Sequence, residues 1–193
     1  MSTNDIHSIL AATRLNKRDI YTLCREAVGL SGTPTREALY AFSLSSERLT
    51  AYHALHVLTL LDSYDLPWIE AKRDLLIDRV LLETDPGKSR LLLKLLLRMH
   101  WNDVELRTDF IDFCLDCITR TALSYAVRAQ CMKLACKQMT QYAELTDELE
   151  SIMQMLDLEL LSPGLRSARR QALASIKKAR MKQSKQTAHN TDD

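Results

Sequence analysis

Ala126-Val127-Arg128-Ala129-Gln130-Cys131-Met132-Lys133-Leu134 carries the periodicity that runs through most of the chain. Val127, Cys131 and Leu134 stand four and three residues apart, which stacks them on one face of a 3.6-residue helix. Working outward, nearly every segment from Ile20 to Ile176 repeats this spacing, period-two alternation is nowhere sustained, and Leu is the commonest residue. The breaks carry start signals. Asn16 precedes a helix with Asp19 three residues on, and Thr33 stands before Pro34. Asp85-Pro86 and Ser162-Pro163 put a capping side chain ahead of a proline whose missing N–H costs nothing in the first turn. Asn102 with Glu105 has the spacing of a capping box. These signals predict helices near 17–29, 34–44, 46–62, 67–83, 87–100, 103–119, 123–141, 145–159 and 163–181, with a short one in residues 1–12.

The helices recur as pairs. Leu58, Leu95, Leu134 and Leu173 fall in alternate helices at intervals of 37, 39 and 39 residues, and Leu75, Ile111 and Leu149 fall between them at 36 and 38. A two-helix unit with that period is the mark of an α-solenoid, in which each pair buries its apolar face against its neighbours. The Ala126–Leu134 stretch, followed by Tyr142-Ala143-Glu144-Leu145 and Leu149, resembles a HEAT repeat, with Val127-Arg128 in the first turn of its first helix. Ala51–Leu61 and Leu165–Ile176 are looser matches, and the resemblance covers roughly 38–176. It implies an all-α, right-handed α-α superhelix: a short HEAT- or ARM-like solenoid of about four helix pairs plus a C-terminal helix. First helices would lie on the convex side and second helices on the concave side. The expected organisation is one repeat domain over 1–181 and a disordered polar tail over 182–193.

Charge follows the alternation. Helices 87–100, 123–141 and 163–181 hold 13 basic residues and no acidic one; the segments 65–85, 102–119 and 143–160 hold 17 acidic residues against four basic. The net charge of +1 therefore hides two layers of opposite sign. Solvation of exposed helices accounts for some charge, with each pair contributing about 0–1 kcal/mol. A surface sorted by sign also attracts a partner of the opposite sign. On the acidic layer the candidate contact residues are Asp109, Asp112, Asp116, Glu144, Asp147, Glu148 and Glu150. On the basic layer they are Arg90, Lys94, Arg98, Lys133, Lys137, Arg166, Arg170 and Lys177, with Lys94/Lys133 and Arg98/Lys137 at equivalent places as a ladder.

Composition and motifs narrow the function. Four Gly and four Pro in 193 residues exclude collagen, a turn-rich β-sandwich and a disordered linker. No run approaches the 20 or so apolar residues of a membrane span, and Met1–Leu15 does not have the pattern of a secretory signal. Five cysteines inside apolar helical stretches suit buried thiols in a reducing cytoplasm. Cys114-x-x-Cys117 with Cys131 and Cys136 could in principle hold zinc, but helical spacing makes them core filler. His53-x-x-His56 has no third ligand and is assigned to packing. Trp68 and Trp101 are core or rim anchors. No phosphate loop or nucleophile elbow is present. One subset of HEAT-like proteins excises alkylated bases through a basic concave surface, whereas here the resemblance would put the acids on that side. The expectation is a non-catalytic, cofactor-free cytoplasmic scaffold that holds a protein partner on its acidic face; the alternative is nucleic acid on the basic face.

Overall fold

The computed structural model describes residues 1–102 and 104–189, and among these residues there are helices and no strand. Five of the helices among these residues start where a local side chain satisfies first-turn amides. Ser2 and Asp5 make a reciprocal capping box for α1 (Thr3–Leu10). Asn16 accepts from Asp19 N at 2.9 Å to start α2 (Lys17–Glu26). Asp85 accepts from Gly87 N at 2.8 Å and Lys88 N at 3.0 Å to start α7 (Pro86–Arg98). Between them run α3 (Thr33–Ser43), α4 (Arg48–Leu58), α5 (Leu66–Glu70) and α6 (Arg73–Leu82). Next come α8 (Thr108–Thr119), α9 (Tyr125–Met139), α10 (Ala143–Met155) and α11 (Pro163–His189). Ser124 caps α9 and Ser162 caps α11 through Val127 N and Leu165 N.

Some predicted boundaries move, each for a physical reason. The expected helix 67–83 breaks at Ala71 into α5 and α6, where Lys72 turns its ammonium onto Glu37 of α3 at 3.3 Å. Thr33 is helical rather than a cap, and its hydroxyl accepts from Arg36 at 2.9 Å instead. Asn102 and Glu105 cap nothing: α8 starts at Thr108, after Arg107 has turned to clamp Asp109. Leu75 is 59% exposed, and its neighbours Leu76 and Ile77 take the buried places in α6. The last helix continues to His189, so the expected tail begins in helix over 182–189; residues 190–193 lie outside the described ones.

The chain divides into two compact units, Met1–Met99 and His100–Asp193. In the first, α4 packs on α3 and α7, α1 lies against α3 and α4, and α6 packs on α7. Leu39, Leu55, Leu58, Ile77, Leu92 and Leu95 are buried there, each contributing roughly 1.5–3 kcal/mol. The α2–α3 turn is too tight for a side chain at Gly32, where a Cβ would come within 2.2 Å of the Ala27 carbonyl carbon. In the second unit α9 is central and packs on α8, α10 and α11. Phe110, Ile118, Met132, Leu134, Leu149 and Leu165 fill that core.

Candidate functional site

The last carbonyls of a helix have no partner within it, and the helix dipole makes them attractive to cations. Four arginines, each on a different helix, use this. In the first unit Arg36 of α3 donates to Ala27 O and, at 2.8 Å, to Gly29 O, just past α2. The same guanidinium meets Asp65 at 2.8 Å, both side chains only 5% exposed, and Asp65 also accepts from Gly29 N. Arg98 of α7 donates to Thr59 O at 2.8 Å and Leu61 O at 2.5 Å, beyond the end of α4. In the second unit Arg128 of α9 donates twice to Ile118 O in the last turn of α8, at 3.1 and 2.9 Å. Arg169 of α11 donates to Met153 O in the last turn of α10 at 2.5 Å. Part of the sorting of charge by layer thus has a structural cause: one helix supplies the guanidinium that caps another.

The candidate acidic residues stand on α8 and α10 of the second unit. Arg107 grips Asp109 at 2.9 and 2.6 Å and holds its carboxyl below the usual carboxylate range. Asp116 accepts from Arg120 at 3.2 Å. Asp147, at 2.5 Å, and Glu150 both accept from Arg180 of α11. Asp112, Glu144 and Glu148 are exposed and accept no hydrogen bond from the described residues.

The candidate basic residues divide between the units. In α7, Arg90 donates to the Tyr52 hydroxyl at 3.3 Å. Burial, then the charges of Lys94 and Arg90, push the His56 imidazole below its ordinary pKa. In the second unit Lys133, Arg166, Arg170 and Lys177 are exposed, and burial lowers the Lys137 ammonium. Not visible from the sequence is a cleft of about 380 Å³ where Lys137 and Thr140 at the end of α9 face Ser175, Lys178 and Lys182 of α11.

The remaining candidates are packed. His53 Nδ1 lies 2.8 Å from Leu10 O and is buried. Cys114, Cys117 and Cys131 are buried together; the Cys131 thiol and burial hold Cys117 far above the ordinary thiol pKa, and Cys131 is raised likewise beside Cys114. Among the described residues no three His, Cys, Asp or Glu side chains gather where they could hold a metal ion. Trp101 is buried and stacks on Phe110 at 5.9 Å. Trp68 is half-buried, donates to Glu37 at 2.9 Å and carries Lys72 Nζ 4.8 Å from its ring centre.

Helices that cap one another and leave charged faces outward define an all-helical repeat protein of the α-solenoid class. A HEAT repeat domain model matches residues 8–176, and the chain belongs to the HEAT repeat family. This family commonly mediates protein interaction and is typically non-catalytic. The crystal structure of an engineered protein from the Northeast Structural Genomics Consortium is similar in fold, with a TM-score of 0.62 and 14% identity. The match covers 92% of this chain and 80% of that one. No curated protein matches the chain. Among the described residues no helix is long and apolar enough to cross a membrane.

Proposed function

We propose that the protein is a non-catalytic scaffold of the cytoplasm whose carboxylates on α8 and α10 hold a basic or mixed protein segment. One observation carries the reading. Asp112, Glu144 and Glu148 are exposed without a hydrogen-bond donor among the described residues, whereas Arg98, Arg128 and Arg169 of the basic layer are committed to helix ends. An exposed charge already held by its own fold adds little to a partner's binding; one without a partner is open to it. Asp109, Asp116, Asp147 and Glu150 form the surrounding field, softened by Arg107, Arg120 and Arg180. The alternative is a polyanion along Arg90, Lys94, Arg98, Lys133, Lys137, Arg166, Arg170 and Lys177; it loses Arg98 and Arg90 to contacts within the first unit and keeps the exposed Lys133, Arg166, Arg170 and Lys177 of the second.

The test is affinity capture with the full chain, comparing wild type, Asp112→Lys/Glu144→Lys/Glu148→Lys and Arg166→Glu/Arg170→Glu. Partners rich in Lys and Arg should be retained by the wild type and the second variant and lost by the first. Capture that survives reversal of the acids, or fails on reversal of Arg166 and Arg170, would overturn the assignment.

A further inference from the structure

The cleft between the end of α9 and the middle of α11 has a chemistry of its own. Ser175, Lys178 and Lys182 are three and four residues apart and so share one flank of α11, with Ala179 leaving room between the lysines. Lys137, Thr140 and Asn102 line the opposite side. Among the described lining residues there is neither a carboxylate nor an arginine. Lysine ammoniums are compact point charges that hold a phosphate by charge alone, whereas arginine would add a planar two-pronged fork that fixes its orientation.

The end of α9 would repel an anion if its carbonyls were bare, but they are covered. Thr140 Oγ1 donates to Cys136 O at 2.6 Å, and Gln141 Nε2 donates to Lys137 O at 3.0 Å and Trp101 O at 2.7 Å. Lys137 gives the same indication, since burial lowers its ammonium and a bound anion would restore its preference for charge. Around the cleft, α11 carries eight basic residues and no acidic one over 163–189. A chain of phosphates leaving the cleft would therefore meet no repulsion from that helix's own side chains.

We infer that Lys178 and Lys182, with Ser175 and the α9 end, form a phosphate site that seats one phosphate of a nucleic-acid backbone. The site is separate from the acidic carboxylates of α8 and α10 and does not depend on them. It reads charge and not sequence, because among the described residues its lining offers donors to an oxyanion and no aromatic face for a base.

The test uses the full chain in three forms: wild type, Lys178→Gln/Lys182→Gln, and Arg14→Gln/Lys17→Gln, a control that removes equal charge from the exposed N-terminal region. Anisotropy of a labelled single-stranded oligonucleotide is followed from about 50 to 200 mM salt, and inorganic pyrophosphate is titrated calorimetrically. The expected result is wild-type binding whose log K falls with log salt. The cleft variant should bind about tenfold more weakly, with a slope shallower by about 1.4 for its two lost contacts, and the control should be unchanged. Displacement of the strand by pyrophosphate supports the same site. Pyrophosphate binding that depends on Lys178 and Lys182 without strand binding overturns the assignment to a nucleic-acid backbone and leaves a site for a small phosphorylated compound. Absence of binding by either probe, or equal affinities for wild type and cleft variant, or an equal loss in the control, overturns the proposal.

Discussion

Replacing Arg128 by Met tests whether the arginine caps hold this fold together. The side chain is 3% exposed and donates two hydrogen bonds to Ile118 O at 3.1 and 2.9 Å. Met keeps most of the stem's packing, so the loss is electrostatic. A stranded buried carbonyl costs about 1–3 kcal/mol, and a cation at a helix C-terminus adds about 0.3–1 kcal/mol. The expected destabilisation is therefore about 2–3 kcal/mol, a fall in Tm of roughly 5–10 °C for a chain of this length. Circular dichroism at 222 nm during thermal and urea unfolding reads it directly. Arg128→Lys, which keeps the charge but not the two-pronged geometry, should recover about half. Arg170→Met, on the exposed flank of α11, should stay within about 0.5 kcal/mol of wild type. If Arg128→Met also stays within about 0.5 kcal/mol, the guanidinium is not a cap of consequence and the structural explanation of the charge layers fails.

Other perturbations follow from the same contacts. Arg36→Met and Asp65→Asn should each cost about 3–5 kcal/mol by chemical denaturation, because each leaves a charge buried without its partner, and the double variant should cost much less than their sum. Asp85, held below the carboxylate range by the Lys88 amide above all and also by Arg48, stabilises the fold above its unfolded pKa. Its contribution should vanish as pH falls through the lowered folded pKa, so Asp85→Ala should cost about 1 kcal/mol at neutral pH and almost nothing in acid. In the native protein a thiol reagent should label Cys24 first, since Cys114, Cys117, Cys131 and Cys136 are buried. Labelling of Cys117 or Cys131 at a rate near that of Cys24 would contradict the packing of α8 on α9. Gly32→Ala should destabilise the α2–α3 turn measurably in the same melts, since the new methyl has no room beside Ala27.

Whatever depends on neighbours in the chain was legible. Apolar residues three and four apart located the helices, and Asn16, Asp85 and Ser162 capped as expected because their amide partners lie two or three residues on. The Val127-Arg128 pair pointed to the family, and the matched span of 8–176 takes in both units. A different contact overrode the capping spacing elsewhere: Asn102 and Glu105 satisfy it, yet α8 starts only at Thr108, beside the Arg107–Asp109 ion pair. The sorting of charge was plain from sequence, but its cause was not: Arg98 finds its carbonyls 39 and 37 residues away, and Arg169 finds Met153 at 16. The lysine cleft needed α11 to pass residue 181, since Lys182 lies beyond the predicted end.

The most direct examination of the scaffold assignment is an amide-resolved titration of the isotopically labelled chain with the basic segment of a captured partner. Chemical shifts should move in α8 and α10 around Asp112, Glu144 and Glu148, and should stay put when those three are reversed in sign. Shifts confined to α9 and α11, or unaltered by the reversal, would mean that the partner is held elsewhere.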